Sequence, residues 1–448
     1  MIVASQFAQP FMINGVTVAL PAIDADLAAG ATSLGLIEAL FLAGSAAILL
    51  PAGRLADASD KATLFKLGLF AFGLSTLLVG MVSSVPLILL LRVLQGAMAA
   101  TVAVTGPALL ADNVPPERRG RVYGAMAGSI YAGMTLGPVV AGFLIDALGW
   151  RAVFFVCGAG LIAGGGVAHR VLPSAWRRPA PGSVHLPSAF LVSAAMLLFV
   201  FGTASLRAGA LGYAMLAAGV AFAVLFVRQQ GRVAPPMLDI AMVMRNTALR
   251  NALLVQTVLY TNAISTTFLL SIYMQVTLGK PAQLSGQILA VGAILMAVIA
   301  PLAGALADRT RPSVIATIGV ALAGAGSFLA TVLNSDSSLF LVAAALAVQG
   351  VGFALFSAPN MAIIMNSVPA GRVSIASALS GTSRQLGMLA GMVLAAALIS
   401  FYLGDEPANR EPLRFLKPMV IAFWCLTALT TVGLAVGLVG SKGRKESP

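Results

Sequence analysis

Arg92 follows five aliphatic residues in LILLLRVLQG, residues 87 to 96. An arginine at the centre of a membrane helix costs about 2.5–3.5 kcal/mol on the insertion scale, so its side chain must hold something: a carboxylate, backbone carbonyls or a substrate. Snorkelling is the alternative, because Arg92 stands roughly seven residues, about 10 Å, from the outer end of its apolar run. Of the fifteen acids in the chain, only Glu38 falls clearly within such a run, and Asp146 lies near the outer end of another. A carboxyl group in that setting exchanges between a neutral, protonated form and a form paired with a nearby arginine. This is the chemistry of a proton-binding site, and Glu38 with Arg92 is the candidate for it.

Other polar residues recur at helical spacing in apolar surroundings. Gln6, Pro10, Asn14, Thr17 and Pro21 share one face of a helix, and so do Ser377, Ser380, Arg384, Gly387 and Gly391. A third run carries Gln256, Tyr260, Asn262, Ser265, Thr266 and Tyr273, and a fourth Gln349 and Asn360. The stripe of Arg92 continues through Gln95, Gly96, Ala99 and Ala103, small residues that admit a partner helix. Such stripes either line a cavity or hydrogen-bond neighbouring helices. The cavity candidates are Asn14, Thr17, Phe41, Gln95, Tyr131, Tyr260, Asn262, Thr266, Phe353, Asn360 and Arg384, with Phe268 and Phe356 as further aromatic candidates. Their aromatic and uncharged polar character suits an amphipathic compound.

The elements that must position these groups are transmembrane helices. The chain is 59% hydrophobic and 9% charged, with a mean hydropathy of +0.96, whereas soluble domains carry about 25% charged residues. Apolar runs near 3–23, 33–53, 64–83, 85–110, 122–147, 151–171, 187–206, 209–227, 250–276, 283–307, 313–333, 338–366, 373–403 and 417–440 are each long enough to span a bilayer. The first run lacks a basic leading stretch and is expected to remain as a span. With the N-terminus cytoplasmic, nineteen of the 27 lysines and arginines fall in inner loops and the tail, six in outer loops, and Arg92 and Arg384 within spans. The net charge of +12 is therefore a topology signal with both termini cytoplasmic, and a nucleic-acid partner is not expected. Cys157 and Cys425 lie in apolar runs and read as small core residues, not a disulfide or metal site. His169 and His185 read as solvated loop residues.

The chain also repeats itself. GRLADASDKATLFKLG from Gly53 aligns with GALADRTRPSVIATIG from Gly304 at an offset of 251 residues, while VLQG against AVQG and GMTLG against GMLAG align at 254. Pro107 and Pro359 add a pair at 252. The expected organisation is a six-helix half over 1–172, a linker over 173–186, two additional helices over 187–227, a linker over 228–249, a second six-helix half over 250–440 and a tail over 441–448. The fold class is all-α and polytopic, with fourteen transmembrane helices arranged as six, two and six and pseudo-symmetric halves. Parallel repeats with a site at their interface near the midplane are a transporter architecture.

On these motifs the chain resembles the major facilitator superfamily, and within it the fourteen-helix drug:proton antiporter family. GRLAD and GALADR resemble the inner-loop signature GxLADRxGRR, LLLRVLQGAMAA the helix-4 signature RxxQG, and GMTLGPVVAG the helix-5 signature GxxxGPxxGG. GWRAVF, IYMQVTLG and SRQLG extend the similarity over nearly the whole chain. The resemblance implies a secondary active transporter with alternating access, Gly133, Gly137, Pro138 and Gly142 as the antiporter motif, and Asp57 and Asp308 as inner-gate carboxylates. Lys61, Arg118 and Arg309 are the basic residues that would serve that gate. Two departures stand out. DASDK replaces the family's DRxGR, leaving Lys61 as the motif's positive charge, and Met12 occupies the place of the usual first-span acid.

The expected function is proton-coupled export of small amphipathic compounds or drugs from a bacterial inner membrane. The alternative is a facilitator or exporter of one neutral or anionic metabolite without strict proton coupling. Expected partners are the substrate, protons and the bilayer, with the protein a monomer. No cofactor or metal is implied. No HExxH, GxSxG or P-loop pattern occurs, so enzymatic chemistry is not expected.

Overall fold

The computed structural model of the chain describes residues 1–172, 185–206, 209–233, 236–238, 240–368, 373–404 and 412–442, excluding the side chains of residues 31, 57, 111, 116–121, 123, 124, 127, 308, 373–375, 412 and 439–442. Among the described residues there is no strand, and fourteen helices exceed eighteen residues. They are α1 (Ala8–Leu27), α2 (Ala31–Ala58), α3 (Lys61–Met81), α4 (Val85–Asn113), α5 (Pro116–Leu148), α6 (Arg151–Val171) and α7 (Leu186–Ala204). The remainder are α8 (Ala210–Gln230), α9 (Thr247–Ile272), α10 (Ala282–Arg309), α11 (Pro312–Ala330), α12 (Leu339–Asn366), α13 (Val373–Leu403) and α14 (Leu416–Lys442). Thirteen of these are long and apolar enough to cross a membrane. The other is α1, whose Gln9, Asn14, Asp24 and Asp26 dilute its hydropathy.

Helices dominate because a backbone in hydrocarbon has no water to bond and must satisfy its own polar groups. Their ends follow local chemistry. Asp60 caps α3 by accepting from Ala62 N at 3.1 Å, and Asn246 caps α9 by accepting from Leu249 N at 3.0 Å. Pro86, Pro116, Pro187 and Pro312 occupy first-turn positions, where no N–H is needed. Where the sequence reading placed one span over 3–23, a short helix Ile2–Ser5 is followed by α1, which carries Pro10 in its own first turn. A π-helical turn, Tyr273–Thr277, extends α9.

Backbone contacts at glycines organise the packing, and they repeat. A Cβ at Gly96 would lie 1.9 Å from the Phe41 carbonyl oxygen, and one at Gly44 2.1 Å from that of Val93, so α2 and α4 touch backbone to backbone. In α12 and α10 the equivalent Gly350 would place its Cβ 2.6 Å from the Gly292 oxygen. Cβ atoms at Gly133 and Gly137 of α5 would lie 2.4 and 2.9 Å from the Phe7 and Phe11 carbonyl oxygens, and at Gly387 and Gly391 of α13 2.4 and 2.5 Å from those of Thr257 and Thr261. The same pairings of helices therefore recur among α1–α6 and among α9–α14.

The two sets meet along α2 with α13 and α5 with α10. Cβ atoms at Gly286 and Gly142 would fall 2.1 and 2.6 Å from the carbonyl oxygens of Pro138 and Ala282. Polar contacts finish this end of the bundle. Asp146 Oδ2 accepts from Gln283 N at 2.9 Å, at the start of α10. Thr32, at the start of α2, donates through Oγ1 to the Gly404 oxygen at 2.9 Å. Ser271 Oγ and Gln275 Nε2 of the α9 end donate to the Thr17 and Val18 carbonyls at 3.1 Å each.

The α7–α8 pair leans on α2 and α13 through α7, with Ser193 Oγ donating to the Ala47 carbonyl at 3.0 Å. Only 17% of the α8 apolar window is buried, which puts this helix at the edge of the bundle. Three smaller expectations are corrected. Cys425 is exposed and Cys157 half-buried, so neither is a fully enclosed core residue. His169 lies within the last turn of α6. His185 caps α7, its Nδ1 accepting from Ser188 N at 3.2 Å.

Gly96→Ala is expected to lower the thermal stability of the detergent-solubilised protein by about 1–3 kcal/mol, because the helices must separate. Gly160→Ala, where a Cβ meets nothing within 4 Å, should leave the melting temperature unchanged or slightly raised. Equal melting temperatures for the two variants would refute the role given to the α2–α4 contact.

Candidate functional site

The face of α4 decides where Arg92 goes. Leu87, Leu90 and Leu94 are exposed at 43, 66 and 48%, while Ile88, Arg92 and Gln95 are fully buried. Arg92 Nη2 pairs with Glu38 Oε2 at 2.9 Å, Nε donates to the Ile37 carbonyl at 2.8 Å, and Nη1 donates to Gln95 Oε1 at 2.6 Å. Gln95 Nε2 then donates to Thr76 Oγ1 at 2.8 Å, which donates to the Phe72 carbonyl at 2.6 Å. The guanidinium lies 4.5 Å from the centroid of the Phe41 ring. The guanidinium thus has partners from α2 and α4, and Gln95 extends the network to α3. Glu38 Oε1, by contrast, is a buried acceptor with no hydrogen-bond partner.

This cluster is apart from the cavity. A cavity of ≈370 Å³ lies among α1, α4, α5, α9, α10, α12 and α13, within the usual size of small-molecule sites. Asn14, Tyr260, Phe353 and Arg384 line it. So do Gln6, Gln9, Pro107, Pro138, Gln349 and Gln385, and four methionines, Met126, Met134, Met296 and Met388. The Tyr260 and Phe353 rings meet edge to face at 4.9 Å, and the Arg384 guanidinium interacts with the Tyr260 hydroxyl. Gln9 and Gln385 reach across to one hydroxyl, Ser45 Oγ, at 3.2 and 2.5 Å, tying α1 and α13 to α2. The lining runs from the middle of the bundle toward the N-terminal ends of α1, α5 and α13, away from the end closed by the Asp146 and Thr32 contacts.

Several sequence expectations are corrected by these placements. Arg92, Phe41 and Gln95 do not face the cavity, because α2 packs too closely on α4 to leave space beside them. The α1 stripe divides: Asn14 reaches the cavity, whereas Thr17 is fully buried against α9. Asn262 and Thr266 are consumed in a buried network in which Asn262 Nδ2 donates to Ser327 Oγ at 2.6 Å and Gln349 Nε2 donates to Thr266 Oγ1 at 2.7 Å and to Asn262 Oδ1. Asn360 Nδ2 donates to Gln256 Oε1 at 3.3 Å, and Gln256 in turn donates to Ser380 Oγ at 3.0 Å. Phe268 and Phe356 are core residues, and Tyr131 packs on the edge of the cluster holding Phe353 without lining the cavity.

Of the gating candidates, Lys61 Nζ pairs with Asp112 Oδ2 at 2.6 Å, joining the start of α3 to the end of α4. Arg309 is exposed in the last turn of α10. The side chains of Asp57, Arg118 and Asp308 lie outside the described residues. Gly133 and Gly137 serve the α1 contact, while Pro138 and Gly142 serve the α10 contact. The methionines, Gln385 and Asp112 escaped the sequence reading. Gln385 had a signal in its adjacency to Arg384, but apolar methionines in an apolar helix carry none.

Comparison with known proteins agrees with this architecture. The Major Facilitator Superfamily profile matches residues 2–392 and 252–442. The tetracenomycin C resistance and export protein of Streptomyces glaucescens is 27% identical over 399 residues, covering 87% of this chain and 73% of that protein. The riboflavin transporter RibZ of Clostridioides difficile is 23% identical over 423 residues, covering 93% and 91% respectively. The multidrug resistance protein Stp of Mycobacterium tuberculosis is 26% identical over 408 residues, covering 89% and 74%. A profile match over nearly the whole length, on a bundle of long apolar helices around a central cavity, means that this chain belongs to the Major Facilitator Superfamily and is a membrane transport protein.

Proposed function

We propose that the chain exports small amphipathic organic compounds in exchange for protons, by alternating access of two six-helix halves, 1–172 and 250–440. Helices α1–α6 and α9–α14 form the transport core, and α7 and α8 are the two additional spans. The observation that carries this reading is the cavity, which both sets of helices line and which is closed at one end by contacts between helix termini. The charge bias of the loops supports cytoplasmic termini in a bacterial plasma membrane. The closed end is then the outer one, and the cavity belongs to an inward-facing state. Relatives named for tetracenomycin C export and multidrug resistance support outward transport of organic compounds.

The proton site in this reading is Glu38 with Arg92. Uptake of a proton neutralises Glu38 and leaves Arg92 held only by neutral groups, so the bonds that draw α2 and α4 together weaken. Helix α4 also carries Ala103 and Pro107 of the cavity wall, so a shift of α4 against α2 is felt at the substrate. At the opposite end, Asp57, Asp308, Lys61, Arg118 and Arg309 would form the inner gate when the cavity closes on that side. A second reading, transport without strict proton coupling, is favoured by one observation: the ion pair is fully buried and separate from the cavity.

Everted vesicles separate the two. Under antiport, substrate dissipates an imposed pH gradient, and Glu38→Gln abolishes the dissipation while substrate still binds. An unchanged response in Glu38→Gln would remove Glu38 from the coupling. A further expectation concerns the outer latch. In a background lacking Cys157 and Cys425, Asp146→Ala should raise the labelling of a cysteine at Ala141 by an impermeant outer reagent several-fold. No increase would mean that the Asp146 contact does not bias the closed end.

A further inference from the structure

Among the described residues the lining of the cavity holds no carboxylate. Arg384 is the only charged residue in its lining among the described residues, and it belongs to none of the ion pairs found there. Its guanidinium interacts with the Tyr260 hydroxyl. Arg384 thus brings a positive charge to the cavity wall with no carboxylate among the described lining residues to neutralise it. A charge without a counter-ion in a partly apolar enclosure is costly until one arrives.

We propose that the cavity binds amphipathic organic anions, with Arg384 holding a carboxylate or phenolate head and the ring seated among Tyr260, Phe353 and the methionines. Guanidinium geometry matches a carboxylate through two parallel hydrogen bonds. The edge-to-face pair of Tyr260 and Phe353 supplies an aromatic corner, and thioethers adapt to rings of differing outline. A cationic amphipath meets the reverse: like charge at Arg384 and no carboxylate to neutralise it. This assignment rests on the cavity being the substrate site of an exporter.

The test uses the purified full-length protein and three probes that share a ring and tether: pyrenebutyrate, its neutral amide and the matching pyrenylbutyl trimethylammonium salt. Wild type should bind the anion on the order of tenfold more tightly than the ammonium salt. Arg384→Gln should lose about tenfold in affinity for the anion, as expected for charge-assisted hydrogen bonds, and keep the neutral amide within about twofold. Retained binding of the amide also reports a folded cavity. Arg384→Lys should keep part of the anion's advantage, and Arg384→Glu should reverse the order.

The proposal is overturned if wild type prefers the ammonium salt, if the anion does not bind, or if Arg384→Gln binds the anion as wild type does. Efflux of the same probes from proteoliposomes separates this from the export reading. Anion binding without movement of any probe sinks export and leaves the charge assignment standing. Movement of the cation in preference to the anion does the opposite.

Discussion

The contact between the backbones of α2 and α4 at Gly44 and Gly96 is the constraint on which the rest depends. Helices normally pack 8–10 Å apart, a distance set by the side chains between them. With carbonyl oxygens about 2 Å from where a Cβ would stand, no side chain fits between these two. The approach brings the Ile37 carbonyl and Glu38 within reach of Arg92, whose neighbour Gln95 completes the set of partners. Without it a full positive charge would face hydrocarbon. The glycine is thus as much a part of the ion pair as either charged residue, and it explains why the two motif letters stand side by side as Gln95 and Gly96.

The same contact recurs at Gly350 against Gly292, without an arginine. There the space is used by Gln349, which bonds Thr266 and Asn262. One backbone geometry therefore serves two chemistries, an ionic network in one set of helices and an amide network in the other. The asymmetry extends to the line where the sets meet. Pro138 presses its carbonyl on Gly286, whereas its counterpart in the repeat, Met392, is fully buried. The contacts at the closed end differ similarly: a carboxylate, Asp146, holds the start of α10, and neutral groups, Ser400 and the Gly404 carbonyl, hold Thr32 at the start of α2. Such differences leave the two sets of helices alike in packing but unlike in chemistry.

Much of the helical framework was legible in advance, because hydrocarbon allows few alternatives. Runs of about 20 apolar residues predict helices, and of fourteen expected runs all overlap a long helix. The first was the least accurate at its bounds, since Pro10 restarts the helix at Ala8 and leaves Ile2–Ser5 as a separate turn. The glycine spacing also carried information, for the repeated motifs fall at the contacts that recur. The candidate site was less legible. Polar stripes identify helices that bond something, but the same spacing serves a cavity and a packed interface. Asn262, Thr266 and Asn360 went to the interface, Tyr260 and Arg384 to the cavity.

By itself the sequence determined the membrane class, the rough position and length of the helices, the repeated motifs, and the need of Arg92 for a partner. These follow from local composition and from the cost of leaving charge or backbone unsatisfied in hydrocarbon. Only the tertiary structure decided which polar groups are spent on each other and which remain to meet a ligand. Glu38 could be named from its depth alone, but that it lies sealed against Arg92, away from the cavity, depends on how closely two helices approach. That distance is a property of the assembled bundle, set by glycines on both helices at once.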